Sequence, residues 1–208
     1  MRWLYLHGFA SSPASRKAQA LRQTLAPAID LEIPDLNLGD FRNTTLSRQL
    51  AWLETHLGEE PATLIGSSLG GLVAVLLAAR RPTIQNLVLL APALDFAQRL
   101  PHLLGEESFA QWRERGERDF FHYGAKETLP LAWHFWEDAC THDPHALTRS
   151  LPMVIFHGRR DEVIPVSVSA DFARWRSQTV LHCPDSDHGL LDCKPAIAAA
   201  IQSLAGGG

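Results

Sequence analysis

The sequence predicts an α/β fold: a mainly parallel sheet of about six strands, helices on both faces and one large insertion after the fourth strand. Three observations carry this. Short apolar runs alternate with stretches of helical periodicity along most of the chain. The middle runs are almost wholly aliphatic, as strands covered on both faces must be; Asn86–Leu90 is the clearest. A single stretch, Asp95–Leu147, breaks the alternation and holds nine of the chain's seventeen aromatic residues. At 208 residues the chain suits one domain, 1–208, with an insertion at about 95–147.

The elements follow in order. Arg2–Leu6 is the first strand. A helix is expected to begin near Ser12, with Pro13 in the first turn where its missing N–H costs nothing, and with Ala18, Leu21 and Leu25 as its apolar stripe. Ile29–Ile33 is the second strand, ended by Pro34. Leu46, Leu50, Leu53 and Leu57 recur at helical spacing, and Gly58 supplies a stop. Ala62–Gly66 is a buried strand, and Leu69–Arg80 is the helix leaving it, with Arg80 and Arg81 at its negative end and Pro82 beyond. Asn86–Leu90, Met153–Phe156 and Thr179–His182 are the remaining strands, and Pro195–Leu204 is a final Ala-rich helix. Within the insertion, Asp119–Tyr123 and Glu127–Leu131 flank Gly124-Ala125-Lys126 as a hairpin. Gly206-Gly207-Gly208 is expected to fray.

Bulk properties exclude several classes. The apolar fraction is 46%, the charged fraction 20% and the formal charge −4, which gives no footprint for nucleic acid or an anionic membrane. No apolar run is long enough to span a bilayer. The apolar start, Met1–Leu6, lacks a basic leader and a cleavage site, which points to a cytoplasmic location. The three cysteines, Cys140, Cys183 and Cys193, form no metal spacing and are expected as free thiols.

Gly66-Ser67-Ser68-Leu69-Gly70 is the strongest motif, and it matches G-x-S-x-G in one frame only, with Ser68 at its centre. The pattern places a serine on a sharp turn between strand and helix, where its Oγ stands clear of the sheet. An apolar strand precedes it and an apolar helix follows, as the motif requires. A nucleophilic serine needs a base, and the base needs an acid to hold its tautomer. Met153–Phe156 leads through His157-Gly158-Arg159-Arg160 to Asp161; Thr179–His182 leads to His188. Both therefore lie past the carboxyl ends of strands, where reacting groups collect in open α/β sheets. The expected triad is Ser68, Asp161 and His188.

Rivals are weaker. Five of the ten histidines, His102, His122, His134, His142 and His145, fall in the insertion. His142 and His145 around Pro144 are too sparse for a metal site, and none is expected. Glu162 adjoins Asp161, while Asp185 and Asp187 precede His188 too closely to be its usual partner. Two backbone N–H groups should stabilise the developing oxyanion. Leu69 supplies one, and Phe9, in the loop Leu6-His7-Gly8-Phe9, supplies the other, with His7 bracing the loop. An insertion after the fourth strand would sit above the carboxyl ends as a cap. Phe120, Phe121, Trp133 and Trp136 are its expected substrate-binding residues.

The opening Leu-Tyr-Leu-His-Gly-Phe-Ala-Ser-Ser-Pro, with Gly-Ser-Ser-Leu-Gly-Gly and Gly-Arg-Arg-Asp-Glu-Val-Ile-Pro, resembles the small bacterial esterases of the YqiA type. The resemblance implies a compact α/β-hydrolase fold that lacks the first two strands of the larger form. It also implies a Ser-Asp-His triad at the positions named, and hydrolysis of a small-molecule carboxylic ester or thioester without a cofactor. Acyl transfer or peptide hydrolysis by the same triad, and a non-catalytic small-ligand binding protein on the same fold, are the alternatives.

Overall fold

The computed structural model describes residues 1–206. Its central sheet is built from β1 (Arg2–Leu6), β2 (Leu31–Glu32), β3 (Ala62–Ser67), β4 (Ile84–Leu90), β7 (Met153–Phe156) and β8 (Thr179–His182). The order is β2-β1-β3-β4-β7-β8, and every pairing is parallel. The register aligns the strand ends. Leu6 lies opposite Gly66, Ser67 opposite Leu90, and Phe156 opposite His182, so the loops that follow leave along one edge.

Alternation along the strands sorts two cores. Leu4, Leu6, Leu64, Leu87, Leu89, Met153 and Ile155 face α2 (Leu46–Leu57), α3 (Leu69–Arg80) and α7 (Val166–Ala173). Trp3, Tyr5, Ile65, Val88, Leu90 and Phe156 face α1 (Arg16–Leu25) and α8 (Lys194–Gly206). Residues Leu69–Ala78 of α3 are all buried, so this helix is covered on every side rather than striped. Among the described residues no helix is long and apolar enough to cross a membrane. All three cysteines are free, with only Cys193 buried.

Three expectations need correction. The first helix starts at Arg16, not Ser12. Ser15 is its N-cap and accepts from the Ala18 N–H, while Ser12 Oγ holds a turn by accepting from Ala14 N–H. The second strand shrinks to Leu31–Glu32, an edge strand that pairs only with β1. The fourth strand starts two residues earlier, at Ile84. Gly206 closes α8 as a helical residue, whereas Gly207 and Gly208 lie outside the described residues.

The segment after β4 contains α4 (Phe96–Leu104), α5 (Glu106–Arg115), the antiparallel hairpin β5 (Glu117–His122) and β6 (Glu127–Ala132), and α6 (His134–Ala139). Its aromatic side chains pack chiefly on one another. Trp112 is fully buried, donates its indole N–H to Leu131 O at 3.0 Å, and meets Phe120 and Trp133 edge-on. Trp136 donates to Ala97 O at 3.0 Å and packs on Phe109 and Trp133. The hairpin tip reaches the loop after β1. Tyr123 N–H donates to Ala10 O at 2.7 Å, and Gly124 lies so close to Ser12 that a Cβ there would collide with it.

Candidate active site

Strand order reverses between β1 and β3: the chain leaves β1 towards β2 on one side and returns to place β3 on the other. Such a switch point opens a crevice at the carboxyl ends of the two strands. Ser68 follows β3 and Phe9 follows β1, so both border that crevice.

Ser68 has φ 53° and ψ −119°, a conformation that costs a non-glycine residue roughly 1–3 kcal/mol. It is fixed on both sides. Its N–H donates to Leu90 O at 2.9 Å, and its carbonyl accepts from Gly71 N–H at 2.9 Å and Ala93 N–H at 3.0 Å. The flanking glycines are there for close approach. A Cβ on Gly66 would strike the Gly70 backbone, and one on Gly70 would strike the Leu6 carbonyl at the end of β1. The turn thus brings the start of α3 onto the β1 loop, where Gly8 packs closely on Ser68: a Cβ there would lie 3.3 Å from Ser67 O and from Ser68 Cβ.

That approach sets the candidate oxyanion donors. The Phe9 and Leu69 N–H groups donate to no atom among the described residues. His7, buried at 3% exposure, braces the loop from below. Its Nε2 accepts from Leu36 N–H at 3.0 Å, which leaves Nδ1 carrying the proton, 3.0 Å from Gly8 O.

Beyond β7 and β8 the other two residues meet. His188 Nδ1 lies 2.7 Å from Asp161 Oδ2. The Asp161 carboxylate is wholly buried, with Oδ1 accepting from Val163 N–H at 2.9 Å and Ile164 N–H at 2.8 Å. His157 Nε2 lies 2.8 Å from Ile164 O and 3.2 Å from Asp161 Oδ2, and its Nδ1 accepts from the Ser169 hydroxyl at 2.7 Å. Burial alone would raise the Asp161 pKa. Hydrogen bonds from His157, His188 and Ile164 N–H more than reverse it and hold the carboxyl well below the usual range. Asp185 and Asp187 are engaged elsewhere: Asp185 pairs with Arg160, and Asp187 accepts from Gly189 N–H. Ser68 Oγ and His188 Nε2 have no hydrogen-bond partner among the described residues, and both side chains line one cleft of about 410 Å³.

The lining of that cleft departs from expectation. Phe120, Phe121, Trp133 and Trp136 do not line it. Phe120 and the two tryptophans are taken up by the aromatic packing of the insertion, and Phe121 is half exposed beside Tyr123. Tyr5, Phe9, Ser11, Ser15, Lys17, Ser67, Tyr123 and Val163 line it instead. Lys17 Nζ donates to Ser67 Oγ at 3.1 Å, and the Tyr5 phenol, pushed up by burial, lines the cleft beside them. Sequence reading passed over Lys17. The available signal was two cations, Arg16 and Lys17, in a helical first turn that favours carboxylates.

Residues 2–205 match the family described as "Uncharacterised protein family (UPF0227)". Over 152 residues the chain is 28% identical to 2-hydroxymuconate semialdehyde hydrolase of Pseudomonas sp. (strain CF600), covering 59% of this chain and 53% of that protein. It thus spans about half the length of that relative. Among solved structures, mouse alpha/beta hydrolase domain-containing protein 10 superposes with a TM-score of 0.80 at 21% identity, covering 97% of this chain and 88% of that one. Est1E from Butyrivibrio proteoclasticus, with ferulic acid bound, gives 0.77 at 23% identity, covering 96% and 87%. The fold is that of the α/β-hydrolases.

Proposed function

The chain belongs to the UPF0227 family, and we propose that it is a serine hydrolase that cleaves small carboxylic esters or thioesters through an acyl-enzyme on Ser68. The observation that carries this reading is the 2.7 Å hydrogen bond between His188 Nδ1 and a buried, ionised Asp161, in the cleft that Ser68 also lines. Asp161 fixes the tautomer that leaves His188 Nε2 free to accept a proton.

In this mechanism His188 Nε2 takes the Ser68 Oγ proton as the oxygen attacks the carbonyl carbon. The resulting oxyanion is held by the Phe9 and Leu69 N–H groups, which have no other acceptor among the described residues. Collapse expels the alcohol or thiol, which leaves with the proton from His188. Water then loses a proton to His188 and attacks the acyl-enzyme; the acid departs and Ser68 regains its proton. No cofactor enters any step. We read the chain as one domain whose 95–147 segment is a cap, acting in the cytoplasm.

The test is labelling by a serine-reactive fluorophosphonate, together with hydrolysis of a panel of alkyl esters and acyl thioesters. Ser68 should be labelled, and Ser68→Ala should lose both labelling and turnover by roughly five to six powers of ten. A folded Ser68→Ala protein that keeps most of its activity would overturn the reading.

A further inference from the structure

The cleft that holds Ser68 and His188 also holds a cation for which acyl transfer has no task. Lys17 enters it from the first turn of α1. Its Nζ donates to Ser67 Oγ, its one partner among the described residues. An ammonium group carries three N–H donors, so two have no protein partner among the described residues, in the cleft beside the nucleophile. Burial is the main reason its pKa is pulled down to about 8, against the opposing attraction of Asp161, Asp187 and Cys193.

A second observation points the same way. Arg16 and Lys17 occupy the first turn of α1, with no carboxylate there to complement the helix dipole. Arg16 and Lys126 line the adjoining groove with the hydroxyls of Ser11, Ser12 and Ser15. Positive charge is thus gathered where the helix already presents its positive end, next to a reactive serine. An anion seated here would accept from the donors that lack a protein partner and offset both unfavourable terms. If Lys17 served only to fasten α1 to β3 through Ser67, a neutral donor would do so without burying a charge.

We propose that Lys17 is a specificity-determining residue: it binds a carboxylate carried by the substrate a few bonds from the scissile carbonyl, so that the cleft selects acidic esters over neutral ones of the same length. This rests on the serine-hydrolase reading and names the substrate class of that same site. The short reach follows from sequence. The lysine bonds Ser67, the immediate neighbour of Ser68, and adjacent Cα atoms are about 3.8 Å apart. The carboxylate can belong to the acyl group or to the leaving group, and the experiment separates the two.

The experiment measures kcat/KM by titration of released acid for two matched sets. Monoethyl succinate, glutarate and adipate are compared with ethyl butyrate, valerate and hexanoate; acetoxyacetate is compared with ethyl acetate. At pH 7 the acidic ester should be favoured at least tenfold in one set. Lys17→Met should cut that ratio at least tenfold, Lys17→Arg should retain part of it, and Arg22→Met, on the exposed side of α1, should leave it unchanged.

The wild-type ratio should also fall between pH 7 and pH 9, as Lys17 loses its proton, and should stay flat in Lys17→Met. The groups facing Lys17 are Asp161, Asp187, His188, Tyr5, Tyr123 and Cys193; burial pushes the Tyr5 phenol and the Cys193 thiol upwards, out of this window. Should Lys17→Met not fold, inhibition of the wild type decides: glutarate should compete with ethyl valerate where glutaramide does not, and equal inhibition by both overturns the inference. Ratios near one in both sets, or a Lys17→Met ratio equal to the wild type, also overturn it. Fluorophosphonate labelling run alongside separates the failures. A labelled enzyme with no acid preference defeats this inference alone, whereas an unlabelled enzyme inert on every ester defeats the hydrolase reading as well.

Discussion

A lysine held in this way should cost the protein stability, and the cost should depend on pH. Folding moves the Lys17 pKa from 10.5 to about 8. At 1.36 kcal/mol per unit, the shift corresponds to a penalty of about 3 kcal/mol when the group is charged. The folded value lies below the unfolded one, so the unfolded chain binds more protons between pH 8 and 10.5. Stability therefore rises with pH across that window, and the penalty is present in full below it. Lys17→Met keeps most of the stem and removes the charge, at the loss of a Ser67 hydrogen bond worth about 1 kcal/mol. The variant should then be more stable than the wild type at pH 7 by about 1–3 kcal/mol, or roughly 2–4 °C in Tm for each kcal/mol. The advantage should vanish near pH 10, where the remaining charge penalty no longer exceeds the lost hydrogen bond. Urea unfolding of both proteins at pH 7 and pH 10 measures it. A variant no more stable at pH 7, or one whose advantage is the same at both pH values, would refute the reasoning.

Other expectations follow from the same geometry. Ser68→Gly should abolish turnover yet raise stability by about 1 kcal/mol, because glycine adopts φ 53° without the strain serine bears; a fall in Tm would count against a strained nucleophile turn. Asp161→Asn should lower kcat by about four powers of ten through loss of the correct imidazole tautomer, whereas Asp187→Asn and Asp185→Asn, whose carboxylates serve Gly189 and Arg160, should cost far less. Trp112→Ala should destabilise the protein by about 3–5 kcal/mol and leave the order of preferred esters intact, while Tyr123→Ala should change that order with little loss of stability, as kcat/KM profiles and melting curves together would reveal.

The parts legible in the sequence were those fixed by local rules. Leu46 to Leu57 advertises a helix by its spacing, and Gly58 ends it with a positive φ. The Gly66–Gly70 turn is readable because three of its constraints, a strand before, a helix after and no room for Cβ atoms, act within a few residues. Asp161 and His188 followed from strand ends, since a parallel sheet in register delivers its loops to one edge. The start of α1 was misplaced because two rules competed. Pro13 can open a helix, but Ser15 provides the side-chain cap, and the intervening turn is held down by the hairpin tip at Gly124 from more than a hundred residues away. No local pattern records such a contact.

The aromatic residues of the insertion misled for a related reason: abundance says that large side chains are buried, not what they are buried against. Phe120, Trp133 and Trp136 satisfy one another and Trp112, and that cluster belongs to the core on the α2 and α3 side of the sheet. The cleft beside Ser68 is lined in part from the opposite side, by Tyr5 at the edge of the α1 and α8 core and by Ser15 and Lys17 of the α1 cap and first turn. The insertion reaches it only at the hairpin tip, through Tyr123, whose N–H is tied to Ala10 in the loop that also carries Phe9. Much of the cleft wall is therefore drawn from the stretch between Tyr5 and Lys17, which also supplies a candidate oxyanion donor, with Tyr123 and Val163 adding to it. On the proposed reading, changes at Ser11, Ser15 or Lys17 fall two to eight residues beyond Phe9, in a stretch where a Cβ on Gly8 would already sit tightly against Ser67 and Ser68. On that reading, altering side chains at Ser11, Ser15, Lys17 or Tyr123 should change what is bound, whereas rebuilding the aromatic cluster should change how firmly the fold holds.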